Sequence, residues 1–354
     1  MSATIRDVAE AAGVSITTVS FVLNNKLPHV NAIPKETRDR VRECATAIGY
    51  KKNAAAASLR TGRSHWIGVI MQPLIDESEA WMWATHELSL LSGIQKKLFE
   101  EGYFTVVGSE PKDGSGTGID ALTSSGIGGI IMRCPNSILV KQAQLLVDSG
   151  VPAVAVFPLD RRDLYPYSVD MDNRKGGEMI ADLFIKSGKK KPVVLIDEQA
   201  MHWDIDRSEG FADTIQKNYG FRPPQLLIPE TKYENKEQIV VQMLIKDKPD
   251  FIIATMGKNA VLAKKSADIA EMKIPEDISI IGFDCHSLRS HGDKKLSSVS
   301  VSWWKAGEIA ASGVINVMKE RSQWTEPKRL DPQFIPGDTT PEILAEGYSK
   351  ELIF

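Results

Sequence analysis

Few stretches of this chain hold side chains that could do covalent or metal chemistry, and each falls short of a working pattern. Cys285, His286 and His291 bring a thiol and two imidazoles together. These are metal-ligand types, but their spacing fits no common zinc arrangement, so no metal is expected. Gly114-Ser115-Gly116-Thr117-Gly118 has the glycine density of a phosphate-cradling loop. EPKD rather than a strand precedes it, so a surface turn is expected. No Walker, HExxH or GxSxG motif occurs. The chemistry expected here is recognition rather than catalysis, without a cofactor.

Charge points to what is recognised. Residues 1–65 hold ten Lys/Arg and five Asp/Glu, whereas the whole chain has a net charge of −3, which leaves −8 on the rest. A basic head on an acidic body suits a polyanion at the head and repels it elsewhere. With 354 residues, 42% hydrophobic and 25% charged, the chain can build two or three compact units. Cys44, Cys134 and Cys285 lie too far apart in sequence to suggest a disulfide framework. No apolar run is long enough to cross a membrane, and the charged N-terminus does not read as a signal peptide, so a soluble cytoplasmic protein is expected.

The elements that must position a recognition surface are sharply punctuated in the head. Thr4 can cap a helix over residues 5–12, with Asp7 in its first turn and Val8, Ala11 and Ala12 as its apolar stripe. Gly13 ends it, Val14 is the expected buried turn residue, and Ser15 caps a second helix over 16–23. Pro34 sits at the first turn of a third helix whose inward face is Val41, Ala45 and Ile48. This pattern fits both a helix-turn-helix and an ordinary three-helix bundle. Residues 53–59 are alanine-rich, with high helix propensity but little apolar stripe. From Trp66 onward the runs WIGVIM, FTVV, GGIIM, AVAVF, PVVLI, FIIAT and ISIIG alternate with helical stretches. That alternation predicts parallel sheets covered by helices, with ligands beyond the carboxyl ends of the strands.

The residues themselves separate the two head readings. Thr4-Ile5-Arg6-Asp7-Val8-Ala9, Ala12-Gly13-Val14-Ser15, Thr18-Val19-Ser20, Val22-Leu23-Asn24, Thr37-Arg38 and Gly49-Tyr50 resemble the head of the LacI/GalR family of bacterial regulators. The likeness runs on through Asn53, Ala54 and Ser58-Leu59-Arg60-Thr61-Gly62-Arg63-Ser64. Islands in the body also match, among them Gly93-Ile94, Asp172-Asn173, Gly176-Gly177, Arg207, Gly210-Phe211 and Ile274 to Asp284. The resemblance implies a small all-α helix-turn-helix head on an α/β body, with two periplasmic-binding-protein-like lobes of parallel sheet. The domains would be 1–52 for the head, 53–64 for a hinge helix or linker, and 65–354 for effector binding and dimerisation.

The same resemblance implies roles residue by residue. Ile16 and Thr17 would face base edges, with Phe21 where the family often places arginine. Thr4, Ser15, Ser20, Asn24 and Tyr50 would meet phosphates. Asn53 would belong to the hinge, Ala56 would approach the minor groove, and Leu59 would wedge between central base pairs. In the body, Arg207, Asp284 and Asn173 would read a small-molecule effector. Met256-Gly257 and Val301 stand where the family has polar readers. Tryptophans are plentiful instead: Trp81 and Trp83, expected in a long loop, Trp203, and Trp303-Trp304. Trp83, Trp203, Trp303 and Tyr233 are the expected aromatic walls. The implied protein is a homodimeric repressor on a pseudopalindromic double-stranded operator, answering to a sugar or glycoside. The rival is a ligand-binding protein with weakened or lost DNA recognition.

Overall fold

The computed structural model describes residues 3–25, 27–50, 64–71, 77–111, 113–134, 137–158, 167–285, 294–319 and 327–349, with backbone alone at 77–83 and 137. The chain divides into two compact units, Met1–His65 and Trp66–Phe354.

In the first unit, α1 (Ile5–Ala12), α2 (Ile16–Leu23) and α3 (Lys35–Ala47) enclose a small core of Val8, Ala9, Ala12, Val19, Val22, Val41 and Ala45. Thr4 and Asp7 form a reciprocal capping box. The Thr4 N–H donates to Asp7 Oδ2 at 2.7 Å and the Asp7 N–H to Thr4 Oγ1 at 3.4 Å. Gly13 closes α1 at φ 61°, in the left-handed region. Three details differ from expectation. Ala9 rather than Ala11 is buried, because α3 packs across the Val8–Ala9–Ala12 side of α1. Val14 is half-buried, and Ile48 is 37% exposed because α3 ends at Ala47. Arg40 ties α3 to the end of α1 by donating Nε to the Ala12 carbonyl at 3.1 Å.

The second unit contains two six-stranded sheets of matching order. The first comprises β1 (Trp66–Met71), β2 (Phe104–Ser109), β3 (Gly129–Arg133), β4 (Ala153–Val156), β5 (Ser168–Met171) and β11 (Lys328–Leu330). Its order is β2-β1-β3-β4-β5-β11, parallel throughout. The second comprises β6 (Pro192–Asp197), β7 (Gln225–Ile228), β8 (Phe251–Ala254), β9 (Ser279–Phe283), β10 (Ser297–Ser300) and β12 (Gln333–Ile335). It repeats the pattern as β7-β6-β8-β9-β10-β12, with β12 antiparallel to β10. The central strands are buried on both faces, as apolar runs without alternation require.

Helices cover both faces. On the first sheet, α4 (Glu77–Glu100) pairs with α11 (Trp303–Met318), and α5 (Gly118–Ser124) and α6 (Ser137–Asp148) lie on the other side. On the second, α7 (Asn173–Ser187) pairs with α8 (His202–Tyr219), opposite α9 (Tyr233–Asp247) and α10 (Gly257–Ile269). The chain therefore changes lobes after β5, after β10 and between β11 and β12. Trp81 and Trp83 lie on α4 rather than in a loop. The segment from Glu77 to Ser92 has no glycine or proline to break it, and Leu90, Ile94 and Leu98 give it a buried helical stripe. The turn Gly114–Gly118 follows Glu110, whose Oε2 accepts the Ile119 N–H at 3.2 Å. A protein carboxylate thus takes the amide that an anion at this helix start would use.

Each lobe's main helix pair touches backbone to backbone. A Cβ on Gly307 would sit 2.3 Å from the Leu90 carbonyl oxygen, and one on Gly177 would sit 2.0 Å from that of Arg207. Neither can be accommodated without moving a helix. Gly307→Ala should therefore destabilise the protein by about 1–3 kcal/mol, as overpacking does. Denaturant unfolding checks this, and a wild-type midpoint would contradict it.

Candidate functional site

The exposed side of α2 is built from few side chains. Ile16 is 43% exposed, Thr17 is exposed, and Phe21 is partly so. The polar residues around them are engaged with their own helices. Ser15 Oγ accepts the Thr18 N–H at 3.1 Å, capping α2. Ser20 is buried, and Asn24 Nδ2 donates to its carbonyl at 2.7 Å and to its Oγ at 3.2 Å. Thr4 Oγ1 lies 2.9 Å from Asp7 Oδ2. Tyr50 packs against the head core. Asn53, Ala56 and Leu59 lie outside the described residues.

The second unit holds a cleft where the carboxyl ends of both sheets face each other. Strands and their ends supply three of its four charged residues. Arg133 ends β3, Asp170 lies on β5, and Asp284 follows β9. The residues just past β4, β5, β8 and β10 bring Phe157, Asn173, Met256 and Trp303.

Arg207 sits on the inner turn of α8 and is 7% exposed. Its Nε donates to Asn173 Oδ1 at 2.9 Å and its Nη1 to the Thr255 carbonyl at 2.7 Å. Nη2 lies 3.5 Å from Asp284 Oδ2, and the guanidinium carbon stands 4.3 Å from the centre of the Phe283 ring. Asp284 has a left-handed backbone, φ 51°. Its Oδ1 accepts from Ser300 Oγ and, at 3.4 Å, from the Trp303 indole N–H. Arg207, Asp284, Asn173 and Trp303 therefore form one linked group, and Trp203 joins them in the cleft wall.

Other sequence expectations divide differently. Tyr233 opens α9, is 42% exposed, and stacks under Lys265 Nζ at 4.9 Å, away from the cleft lining. The Trp83 side chain lies outside the described residues. Cys285 is buried with its thiol pushed up to about 12, chiefly by that burial, while His286 and His291 lie outside the described residues. Among the described residues no cluster of His, Cys, Asp or Glu is suited to a metal, and no helix is long and apolar enough to cross a membrane.

Sequence reasoning missed Arg133, Phe157, Asp170 and Phe283. Arg133 Nε donates to Glu87 at 3.2 Å and Nη1 to the Phe157 carbonyl at 3.1 Å. Its guanidinium carbon lies 5.4 Å from the ring centres of both Phe157 and Trp303. Arg133, Phe157 and Phe283 end or directly follow apolar strand runs, and that position was the available signal; Asp170 lies on the short strand Ser168–Met171, which no apolar run marks. Burial drives Asp170 up to about 7, against the pull of the Met171 N–H and the Arg207, Arg133 and Arg329 charges. Burial likewise raises Asp204 to about 6, with Arg207 opposing it.

Comparisons with known proteins agree with this geometry. Residues 4–53 match the model of bacterial regulatory proteins of the lacI family, and 181–340 match that of the periplasmic binding protein-like domain. The chain is 25% identical to the transcriptional repressor PurR of Haemophilus influenzae, covering 99% of this chain and all of that one. It is 22% identical to the probable repressor ExuR of Bacillus subtilis over 95% of this chain and 98% of that one. It is 28% identical to the sucrose operon repressor of Streptococcus mutans over 80% and 83%. The fold superposes on a lac repressor dimer bound to operator and an anti-inducer with TM-score 0.77 and 19% identity, over 96% of this chain and 99% of that one. A helix-turn-helix head on a two-lobed effector-binding body defines a DNA-binding transcriptional regulator. Residues 4–53 form a DNA-binding head of the lacI family of bacterial regulatory proteins, and residues 181–340 a periplasmic binding protein-like domain.

The raised carboxyls make a pH prediction. Folded Asp170 and Asp204 hold protons up to about 7 and 6, whereas the ordinary value is 3.8. Between those values the folded chain binds more protons than the unfolded one, so their contribution to stability falls as pH rises through that window. The thermal midpoint should fall more for wild type than for Asp170→Asn between pH about 5 and 8. Equal falls would contradict the assignment.

Proposed function

We propose that this regulator is a homodimeric repressor acting in the cytoplasm, without catalytic activity, and that an uncharged hydroxylated ring, a sugar or glycoside, in the cleft sets its operator affinity. The observation that carries the effector class is the charge pairing in the cleft. Arg207 is held by Asp284 and Arg133 by Glu87, so a ligand anion would have to break an existing buried pair. The walls are the rings of Phe157, Trp203, Phe283 and Trp303, flat surfaces on which the C–H faces of a sugar can stack. Asp170, Asp284 and Asn173 are the polar groups placed to accept or donate to hydroxyls. Two similar proteins bear on this reading: one is named as a sucrose operon repressor, and one solved structure of the same fold (TM-score 0.64) is described as a CelR–cellobiose complex.

The dimer reading draws on two exposed sheet edges. On β2, Phe104 is 58% and Val107 48% exposed, and on β7 Leu227 is 55% exposed. Uncovered apolar edge strands are aggregation hazards, and a partner subunit along both lobes would cover them. Two heads would then meet two half-sites. Residues 53–64 would order as hinge helices on the operator, with Leu59 inserted between base pairs, and ligand-dependent lobe geometry would govern whether the hinges can pair.

A ligand-binding protein with weakened DNA recognition is the second reading, because α2, ITTVSFVL, carries no side chain able to make a bidentate base contact. Salt separates the two. The repressor reading requires a steep fall of DNA affinity with salt as phosphate contacts release counterions.

Thermal unfolding across neutral sugars, glycosides and their phosphates tests the effector class. A ligand at 100-fold over its Kd adds about 2.7 kcal/mol. Neutral ligands should raise the midpoint and their phosphorylated forms should not; the reverse ranking would sink the class. Arg207→Ala should lose the ligand response and keep DNA binding, whereas full ligand affinity in the variant would refute its role. For the hinge, Leu59→Ala should weaken specific affinity and reduce DNA bending, and a wild-type bend would exclude the wedge.

A further inference from the structure

The reading face of α2 has an unusual composition for a surface that must tell bases apart. Its sequence, ITTVSFVL, contains no ionisable or carboxamide side chain. Guanine and adenine are read best by forked donors and acceptors, and none is present on this helix. Thr17 and Phe21 are one turn apart and share a stripe, with Ile16 beside them. The stripe offers one hydroxyl and two apolar groups.

Phe21 is not a loose ring. Its ring stacks on the imidazole of His29, with centroids 4.6 Å apart and an interplanar angle of 15°. His29 opens a short 3-10 turn, His29–Ala32, that packs on α2 and buries Val30 to 1% exposure. The anchored turn therefore holds His29, itself exposed, against one face of Phe21. A phenyl ring covered on one side by a flat partner loses freedom to swing away, and its remaining surface becomes a fixed apolar plate. In a major groove the feature that rewards an apolar plate is the 5-methyl group of thymine, which no other base carries.

We propose that the Phe21–His29 stack, with Ile16, reads thymine methyl groups in the operator half-site, and that His29 is a positioning residue for this readout. The proposal rests on the DNA-binding function of the head and adds the base that it prefers. Specificity then comes from methyl contacts and the Thr17 hydroxyl, while the basic residues of the head supply phosphate attraction common to all sequences.

The test uses the full-length wild-type protein. A specific site is first selected from random duplex DNA, and each dT in a half-site is then replaced singly by dU, which lacks only the methyl. We expect about a four-fold loss of affinity at one or two positions per half-site, the effect of one buried carbon. His29→Ala should lower that dT/dU ratio toward one, and His29→Phe, which keeps a flat stacking partner, should restore it. A merely structural or electrostatic role for His29 would weaken dT and dU sites alike and leave the ratio unchanged, which would overturn its assignment. Equal binding of dT and dU at every position would overturn the methyl readout. If no site is selected over random DNA, DNA reading by this head fails, and the proposal fails with it.

Discussion

A positive charge buried inside the second unit constrains more of this molecule than any other single feature. At 7% exposure the Arg207 guanidinium needs partners for its donors, and removing one partner of a buried pair typically costs about 3–5 kcal/mol. Its partners come from separated parts of the chain: Asn173 at the start of α7, the Thr255 carbonyl after β8, and Asp284 after β9. Each must arrive at its place for the charge to be tolerated. Gly177 and Gly210 let α7 and α8 approach to backbone contact beside it, which fixes where the guanidinium stands. Asp284 in turn accepts from Ser300 and Trp303, so the same charge orients an aromatic wall of the cleft. Binding surface and fold are held by one network.

The head solves a different problem with different means. Its helices are short, and isolated helices of that length are marginal in water. Side-chain caps therefore matter, and Thr4, Asp7, Ser15 and Asn24 serve first as ends for α1 and α2. A phosphate contact from Thr4 or Ser15 would use a hydroxyl already placed by the cap. The surface left for bases is small and apolar. Long-range attraction to DNA then comes from the basic balance of residues 1–65, and discrimination from shape and methyl contact.

Much of this was legible in the sequence because the signals are local. Capping residues, Gly13 and the apolar strand runs each act within a few residues, and they located the head helices and the sheets. Arg207, Asp284, Asn173, Trp203 and Trp303 do converge on one cleft. What was not legible depends on packing between distant elements. Whether Ala9 or Ala11 is buried is decided by the approach of α3. Tyr233 turns away because the start of α9 faces Lys265. Arg133 looks like an ordinary strand-end residue and Asp170 lies on a strand that no apolar run marks, and each gains its meaning only when the opposite wall is placed.

On the proposed function, head and cleft belong to one coupled equilibrium. The direct measurement is a linkage cycle on the full-length protein. Operator affinity is measured with and without the ligand that raises the unfolding midpoint, and ligand affinity is measured with and without operator. Both affinities should change by the same factor, as reciprocity demands of coupled sites. Ligand and operator binding that leave each other unchanged would contradict it.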